Sequence, residues 1–438
     1  MIKTVPAVVL AIIFGVGVAR LFFIHPTFSD ENIYFLMGKH VAEGEIPYKE
    51  FGLAHPPLQI YMLAFLFTVF GASILAGKLL TLISTSASAY LIFLIAKELY
   101  REKAALFSVV LFFITPAFIA FSMVGDGLWE SMAFVLLSLY MLLKNRLWLS
   151  AISFVTAIFI RYIAAVYFPF LLLYLAINNK RIMPYFLRFS ISMLIPLVVL
   201  LLFFGYEFIE QSISFQIYSR FSLPKQVYQY WGIGFFTMFL SIIAAVVAYN
   251  KKDKQLLLFS VYPILADILI FATFQTIFYH YFIISIPLIT IAVAKACFVS
   301  KNRIIYLFIS VIIILAIFNN FNTIDFYLNP ARSKQFYTIE DFIRNSTSEG
   351  DTIFGEPVIT SYASFASGRR IAHNYIGLFY ELVDAQQQHE IIKNLEQEKP
   401  RFFIEMDDYY TSNPQFAEYL ANYNIAEQIS DVQIYERK

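Results

Sequence analysis

The stretch Leu147–Ile177 reads LWLSAISFVTAIFIRYIAAVYFPFLLLYLAI, and the number of times it crosses a bilayer decides the topology of the chain. One crossing takes about 20 apolar residues, so the run is too long for one ordinary helix, and Arg161-Tyr162 interrupts it near its middle. Lys144 and Arg146 precede it and Lys180 and Arg181 follow it. Short basic connectors stay on the cytoplasmic side, so the stretch is predicted to go out and come back as a short hairpin. That choice also places Lys97, Arg101, Lys103, Lys251, Lys252, Lys254, Lys301 and Arg303 inside. A single crossing would put the clusters at 251–254 and 301–303 outside.

Working outward, further spans are predicted at 5–24, 76–96, 104–122, 128–143, 182–204, 231–249, 256–277, 281–299 and 304–320, about eleven in all by length and hydropathy. Composition agrees: 59% of the 438 residues are hydrophobic and 14% charged, and mean hydropathy is +0.66. Such a chain needs lipid as solvent. Lys+Arg 32 against Asp+Glu 31 leaves a formal charge of +1, which gives no field for nucleic acid. The one cysteine, Cys297, excludes an intrachain disulfide framework and a cysteine-based metal site. The first segment lacks a small-residue cleavage site and reads as a retained span.

This topology predicts residues 1–321 as a transmembrane domain with an external loop at 25–72, a cytoplasmic N-terminus, and residues 322–438 as a small external α/β domain. In the loop, Ser29 can cap a helix whose first turn carries Asp30 and Glu31. Ile33, Leu36, Met37, His40 and Val41 recur at spacings of three and four, which suits a helix lying along a membrane surface. Pro47 and Pro56-Pro57 break the pattern, and Leu58–Phe70 is short enough to be interfacial or re-entrant. Beyond 322, helix-like Thr338–Asn345 and Gln386–Leu395 and strand-like Thr352–Phe354 and Arg401–Glu405 give the α/β reading. Asn345-Ser346-Thr347 fits an N-glycosylation acceptor pattern. There is no Gly-rich phosphate loop, zinc spacing or nucleophile elbow.

The polar residues gather on the predicted external face. Asp30-Glu31 supplies a carboxylate for general-base chemistry, or is simply a helix-start pair favoured by the dipole. Asp126, in Gly125-Asp126-Gly127, is the one charge in a very short turn and fits either a site or plain turn chemistry; Glu130 is a weaker second candidate. Arg161 is costly in its apolar surroundings unless it meets an anion or snorkels. A lipid-linked phosphate would be such an anion, with Arg220, His280 and His55 as further contacts. His280 beside tyrosines equally suits an interfacial anchor. The 48 Phe and 29 Tyr are read as packing and interface belts.

Arg20, Asp30-Glu31-Asn32-Ile33-Tyr34, Gly44-Glu45-Ile46-Pro47-Tyr48, His55-Pro56-Pro57-Leu58, Gly71-Ala72-Ser73 and Lys78-Leu79, in this order, resemble the GT-C superfamily of membrane glycosyltransferases. The likeness is to the group containing protein O-mannosyltransferases and the aminoarabinose transferase that modifies lipid A, and it extends through Asp126 and Arg161 to Tyr279-His280-Tyr281 and Pro287, about three quarters of the chain. The aminoarabinose enzyme carries lysine before its Pro-Pro where this chain has His55.

The resemblance implies a GT-C fold and transfer of a hexosyl or pentosyl group from a polyisoprenyl-phosphate donor. Asp30 matches the family's loop carboxylate and would be the base, with Glu31 beside it; Asp126 matches the second acidic position. Arg161, Arg220 and Tyr279–Tyr281 fall where such enzymes handle the carrier phosphate. The chemistry implied is a single inverting displacement in which basic residues stabilise the departing phosphate. No cofactor is expected to be required and no metal site is predicted, although the oligosaccharyltransferase branch uses a metal. The acceptor is a protein, a lipid or a glycan, and the membrane an archaeal or bacterial plasma membrane. Two alternatives stay open: an oligosaccharyltransferase or polysaccharide polymerase moving a whole glycan, and, in a different class, a secondary transporter, for which paired halves and midplane charges are expected.

Overall fold

The computed structural model describes residues 4–215, 217, 226–227, 230–274, 276–300, 303–377, 379 and 385–438. Among these, four helices are long and apolar enough to cross a bilayer: Ile74–Leu99, Ile182–Phe204, Lys254–Thr273 and His280–Ser300. Arg303–Asn319 and Phe321–Leu328, bent by 59° at Asn320, make a fifth if taken as one broken span. Shorter apolar helices cover Val5–Leu21, Leu58–Phe70, Leu128–Leu143, Leu147–Ile160, Tyr162–Ile177 and Phe236–Lys251. The predicted 104–122 span is corrected: it breaks into Glu102–Phe113 and Pro116–Phe121. Pro116 supplies no N–H for the ladder and forces Thr115 to extended angles (φ −68°, ψ 140°), while the Thr115 hydroxyl caps the second piece by accepting from the Phe118 amide.

By internal contacts the chain forms two compact units, one of residues 1–23, 79–123 and 127–328, the other of 24–78, 124–126 and 329–438. In the first, the helices Leu128–Leu143 and Leu147–Ile160 pack along small residues. Ser131 Oγ donates to the Ala157 carbonyl at 3.0 Å, and the Ser138 and Ser150 hydroxyls meet at 3.1 Å, a close-approach pattern typical of helices in lipid. Helix Leu147–Ile160 stops at Arg161, which is extended (φ −147°, ψ 124°). A tight turn Tyr162–Tyr167 then leads into Phe168–Ile177. Phe154 and Phe168, seven residues either side of Arg161, stack at 6.0 Å, so the stretch folds back on itself.

The second unit pairs Glu31–Ala42 with Leu58–Phe70 and Pro357–Ser367 beside a five-stranded sheet. Two short strands of the first unit, β1 (Gln226–Val227) and β2 (Thr276–Ile277), pair in parallel. The sheet contains β3 (Thr352–Gly355), β4 (Arg370–Ile371), β5 (Phe402–Met406), β6 (Tyr423–Ile429) and β7 (Val432–Arg437), in the order β4-β3-β5-β7-β6. β3 runs parallel to β4 and β5, whereas β7 is antiparallel to β5 and β6. The helices Pro357–Ser367 and Ala385–Glu398 are the crossovers that parallel strands require. Phe336, Ile339, Ile343, Ile353, Ile359, Phe402, Ile404 and Ile434 form its core, each worth about 1.5–3 kcal/mol of burial. A Cβ on Gly355 (φ 150°) would lie 1.9 Å from the Ile404 carbonyl oxygen, so only glycine permits β3 and β5 to approach there.

Two expectations about the loop helix are corrected. Asp30, not Ser29, is its N-cap residue, and the Ser29 hydroxyl instead meets that of Thr27 at 3.0 Å. Rather than one apolar stripe, nearly every position from Glu31 to His40 is buried, because Leu58–Phe70 and Pro357–Ser367 both pack on it.

Candidate functional site

The external loop reaches its first helix through Thr27-Phe28-Ser29-Asp30, and the first helical residue, Glu31, is wholly buried. Its carboxylate is surrounded by donors. Lys78 Nζ lies 2.9 Å from Oε1 and 3.1 Å from Oε2; the Thr27 amide donates to Oε1 at 3.2 Å and the Thr27 hydroxyl to the same oxygen. The Gly125 amide donates to Oε2 at 2.8 Å. Lys78 is likewise 0% exposed, so each charge is compensated by the other and by hydrogen bonds.

This bond network does more than neutralise. The Gly125–Glu31 bond joins the turn that carries Asp126 to the segment that carries Asp30, and Gln59 Nε2 holds the other side of the turn by donating to the Gly125 carbonyl at 3.1 Å. Phe35, one helical turn beyond Glu31, fixes the spacing from below. Its ring lies where a Cβ on Gly77 or Gly125 would sit, at 2.6 Å and 2.7 Å, and it packs edge-on to Phe67 at 6.3 Å and beside Phe365 at 6.3 Å. Both glycines are therefore required by close packing against one aromatic ring.

Asp30 is exposed whereas Asp126 is 7% exposed. The two neighbouring acids thus differ: Glu31 is sealed and saturated, and Asp30 opens to solvent. His55 sits 5.9 Å from the Tyr34 ring, and its carbonyl accepts from Tyr48 Oη at 2.7 Å. His40 Nδ1 lies 2.9 Å from Glu45 Oε2 and Arg370 lies 3.5 Å from Glu45 Oε1.

Asp30, Glu31, His55 and Asp126 belong to one compact unit; Arg161, His280 and Tyr281 belong to the other, and Arg220 lies outside the described residues. Arg161 is buried at the hairpin turn. His280 stacks on Phe278 at 5.4 Å and meets Phe121 and Tyr281 at 6.2 Å and 5.0 Å, while Tyr281 also packs on Phe274 at 5.5 Å. Glu130 accepts from Thr81 Oγ1 at 2.8 Å. Among the described residues no three His, Cys, Asp or Glu side chains gather as a metal-binding group.

Two residues were given no role by sequence reasoning. Lys78 stands in the apolar run Ile74–Leu99 and partners Glu31. Asp267 is buried in Lys254–Thr273, accepting from Ser285 Oγ at 2.6 Å and Thr237 Oγ1 at 3.3 Å. In both cases the available signal was one ionisable residue inside an apolar span, which is expensive and needs a partner.

Comparison with known proteins bears on the whole arrangement. The profile of a family described as dolichyl-phosphate-mannose-protein mannosyltransferase matches residues 54–206. No curated protein sequence matches the chain. ArnT from Cupriavidus metallidurans bound to undecaprenyl phosphate superposes with a TM-score of 0.64 at 11% identity, covering 98% of this chain and 97% of that one. The Archaeoglobus fulgidus oligosaccharyltransferase in its apo form gives 0.55 at 12% identity, covering 99% of this chain and 74% of that one. The same archaeal enzyme, AglB, with an inhibitory peptide and a dolichol-phosphate gives 0.55 at 13% identity, with the same coverage. Over nearly its full length the chain therefore shares the fold of the ArnT and AglB structures, and within it residues 54–206 match the profile of the dolichyl-phosphate-mannose-protein mannosyltransferase family.

Proposed function

We propose that the protein transfers a single sugar from a polyisoprenyl-phosphate donor to an acceptor on the extracytoplasmic face of the cell membrane, by one inverting displacement. The observation that carries this reading is the Glu31–Gly125 bond: it ties Asp30 and Asp126, the two acids that the family pattern marks, to one Lys78-neutralised anchor. Asp30 takes the proton from the acceptor's hydroxyl or amide. The freed lone pair attacks the anomeric carbon as the C–O bond to the phosphate breaks, and polyisoprenyl phosphate departs with that electron pair. Asp126 orients the acceptor or the sugar, and Glu31 is a positioning residue. Arg161, Arg220, His280 and Tyr281, with His55 from the loop, are the candidates for holding the departing phosphate, since charge-assisted hydrogen bonds to such a group are strong. No metal is required in this scheme because cationic side chains can neutralise the leaving group.

A second reading is transfer of a whole glycan, and the likeness to the archaeal oligosaccharyltransferase favours it. The two separate on one experiment. Full-length protein in vesicles is offered a panel of polyisoprenyl-phosphate monosaccharides and of diphosphate-linked oligosaccharides, with carrier release as readout. The proposal expects release from a monophosphate donor and a fall of at least about 100-fold in Asp30→Asn, the scale of a lost general base. Release from diphosphate-linked glycans alone establishes the second reading, and an undiminished Asp30→Asn removes Asp30 as the base.

A further inference from the structure

The helix Ile182–Phe204 differs from the other long apolar helices in how little of it the protein covers. Only 6% of its most apolar stretch is buried within the protein, against 50% or more for the other three long helices. Its outer surface is therefore a lipid contact, and Met183, Leu187, Leu194 and Leu202 are all strongly exposed. Yet Arg188 stands on this helix, about 9 Å along it from Ile182 at the usual rise per residue. A guanidinium facing hydrocarbon is costly unless it reaches water or an anion.

The surroundings of Arg188 are specific. Arg181, immediately before the helix, and Arg188, two turns later, fall on one face. Nη1 of Arg188 donates to the Pro184 carbonyl at 2.8 Å, which draws the guanidinium back towards Arg181. Its plane lies over the Trp148 ring, 5.6 Å from the centroid. Nε of Arg188 is buried and has no hydrogen-bond partner among the described residues, and neither arginine forms an ion pair there. Trp148, Arg181, Ile182, Met183, Leu187 and Ile191 line a groove of about 650 Å³ whose walls are overwhelmingly apolar. The groove therefore offers at its head two guanidinium groups with no ion-pair partner among the described residues, and hydrocarbon-compatible walls below. Arg146 and Lys180 add further positive charge in the adjoining connectors, whereas Lys144 is paired with Glu98 at 2.5 Å.

We propose that this groove binds an anionic glycerophospholipid, its phosphodiester between Arg181 and Arg188 and one acyl chain along Leu187 and Ile191. A lipid is favoured over a soluble anion because the arginines head an apolar groove on the most lipid-exposed long helix, where an inorganic ion would have no hydrocarbon to match. A phospholipid with net negative charge is favoured over a zwitterionic one because both basic groups need a counter-charge that choline would oppose. Basic groups at the cytoplasmic boundary of membrane proteins attract acidic lipids in this manner, and both connectors flanking Leu147–Ile177 carry the lysines and arginines expected on that side.

The test requires no transferase activity. Delipidated full-length protein is titrated with phosphatidylglycerol and with phosphatidylcholine of the same chains, and retained lipid is counted by native mass spectrometry. Wild type is expected to prefer phosphatidylglycerol by at least tenfold for one tight site, and Arg188→Gln to lose that preference. Arg181→Gln, at an exposed position before the helix, should weaken it by several-fold without disturbing the fold, while Lys251→Gln, an exposed basic control elsewhere, leaves it unchanged. Equal retention of the two lipids, retention in Arg188→Gln equal to wild type, or full displacement by millimolar inorganic phosphate would each overturn the proposal. If Arg188→Gln does not yield monodisperse protein, the Arg181→Gln titration decides.

Discussion

Asp30 and Glu31 are adjacent in sequence and opposite in circumstance. The Glu31 carboxylate is fully enclosed by Lys78, Thr27 and Gly125, so removing it strands a buried ammonium. Glu31→Ala should cost about 3–5 kcal/mol, the usual consequence of breaking a buried pair by deleting one partner, and thermal unfolding in detergent will register it as a marked fall in Tm. Asp30→Asn at an exposed position should move stability by no more than about 0.5 kcal/mol while removing sugar transfer. Equal Tm losses for the two would contradict the proposed division of labour between anchor and base. Gly125→Ala places a methyl 2.7 Å from the Phe35 ring, and overpacking of that kind costs about 1–3 kcal/mol; Phe35→Leu added to it should recover part of the loss, because the atoms in the way are then gone. The acidic pair was legible from sequence, but its partition into a buried, fully bonded acid and an exposed one was not, since the deciding partners Lys78 and Gly125 lie 47 and 94 residues away.

A titrating contact outside the long apolar helices adds a pH dependence. The Ser348 amide donates to Asp351 at 2.8 Å and Arg401 lies 3.0 Å away, and together they hold the Asp351 carboxyl below its ordinary value of 3.8. A carboxyl whose folded value is depressed stabilises fully above its unfolded value and loses that contribution as pH falls through the folded one. Wild type should therefore lose more stability than Asp351→Asn on going from pH 5 to pH 3, measured by urea unfolding at each pH. A parallel fall in the two would remove Asp351 from the account.

At the scale of elements, hydrophobic run length located the helices well, because a lipid solvent demands long apolar stretches with every backbone group satisfied internally. Ile182–Phe204, Leu128–Leu143 and Leu58–Phe70 fall where they were expected. Thr115-Pro116 shows where run length misleads: hydropathy continues across a proline that hydrogen bonding cannot. The sheet was half legible. β3 and β5 are buried and hydrophobic, and read as strands; β6 is largely exposed, and its edge position leaves no apolar alternation to detect. The amphipathic pattern from Ile33 to Val41 was real but understated the burial, since the helix Pro357–Ser367 that covers it is more than three hundred residues away in sequence. Phe365 on that helix meets Phe67 at 5.7 Å and Phe35 at 6.3 Å. Phe365→Ala should cost about 3–5 kcal/mol as a buried aromatic truncation, and proteolysis at the 43–55 connection will report loosening of the loop. An unchanged cleavage rate would show that the loop holds its place without that ring.

At the scale of the molecule, the unit that carries Asp30, Glu31 and Asp126 is assembled from three separate parts of the chain, 24–78, 124–126 and 329–438. A linear reading cannot anticipate such interleaving, because composition changes near residue 322 as it would for an independent appendage. The contacts argue otherwise: Lys39 Nζ donates to the Phe365 carbonyl at 3.2 Å, Asn374 Nδ2 to the Glu50 carbonyl at 3.1 Å, and Gly377 lies so close to Ile33 that a Cβ would be 2.6 Å from it. Deleting 329–438 would uncover Ile33, Phe35 and Phe67, each worth about 1.5–3 kcal/mol of burial, and leave the loop unable to hold Glu31 against Gly125. The truncated protein should therefore extract as aggregate or be cut rapidly within 43–55, and lose donor release altogether. Supplying 329–438 as a separate secreted chain should restore part of both, since the missing surface is then replaced in trans. A monodisperse truncation with wild-type donor release would mean that the loop is complete by itself, and that the C-terminal residues serve something other than the site.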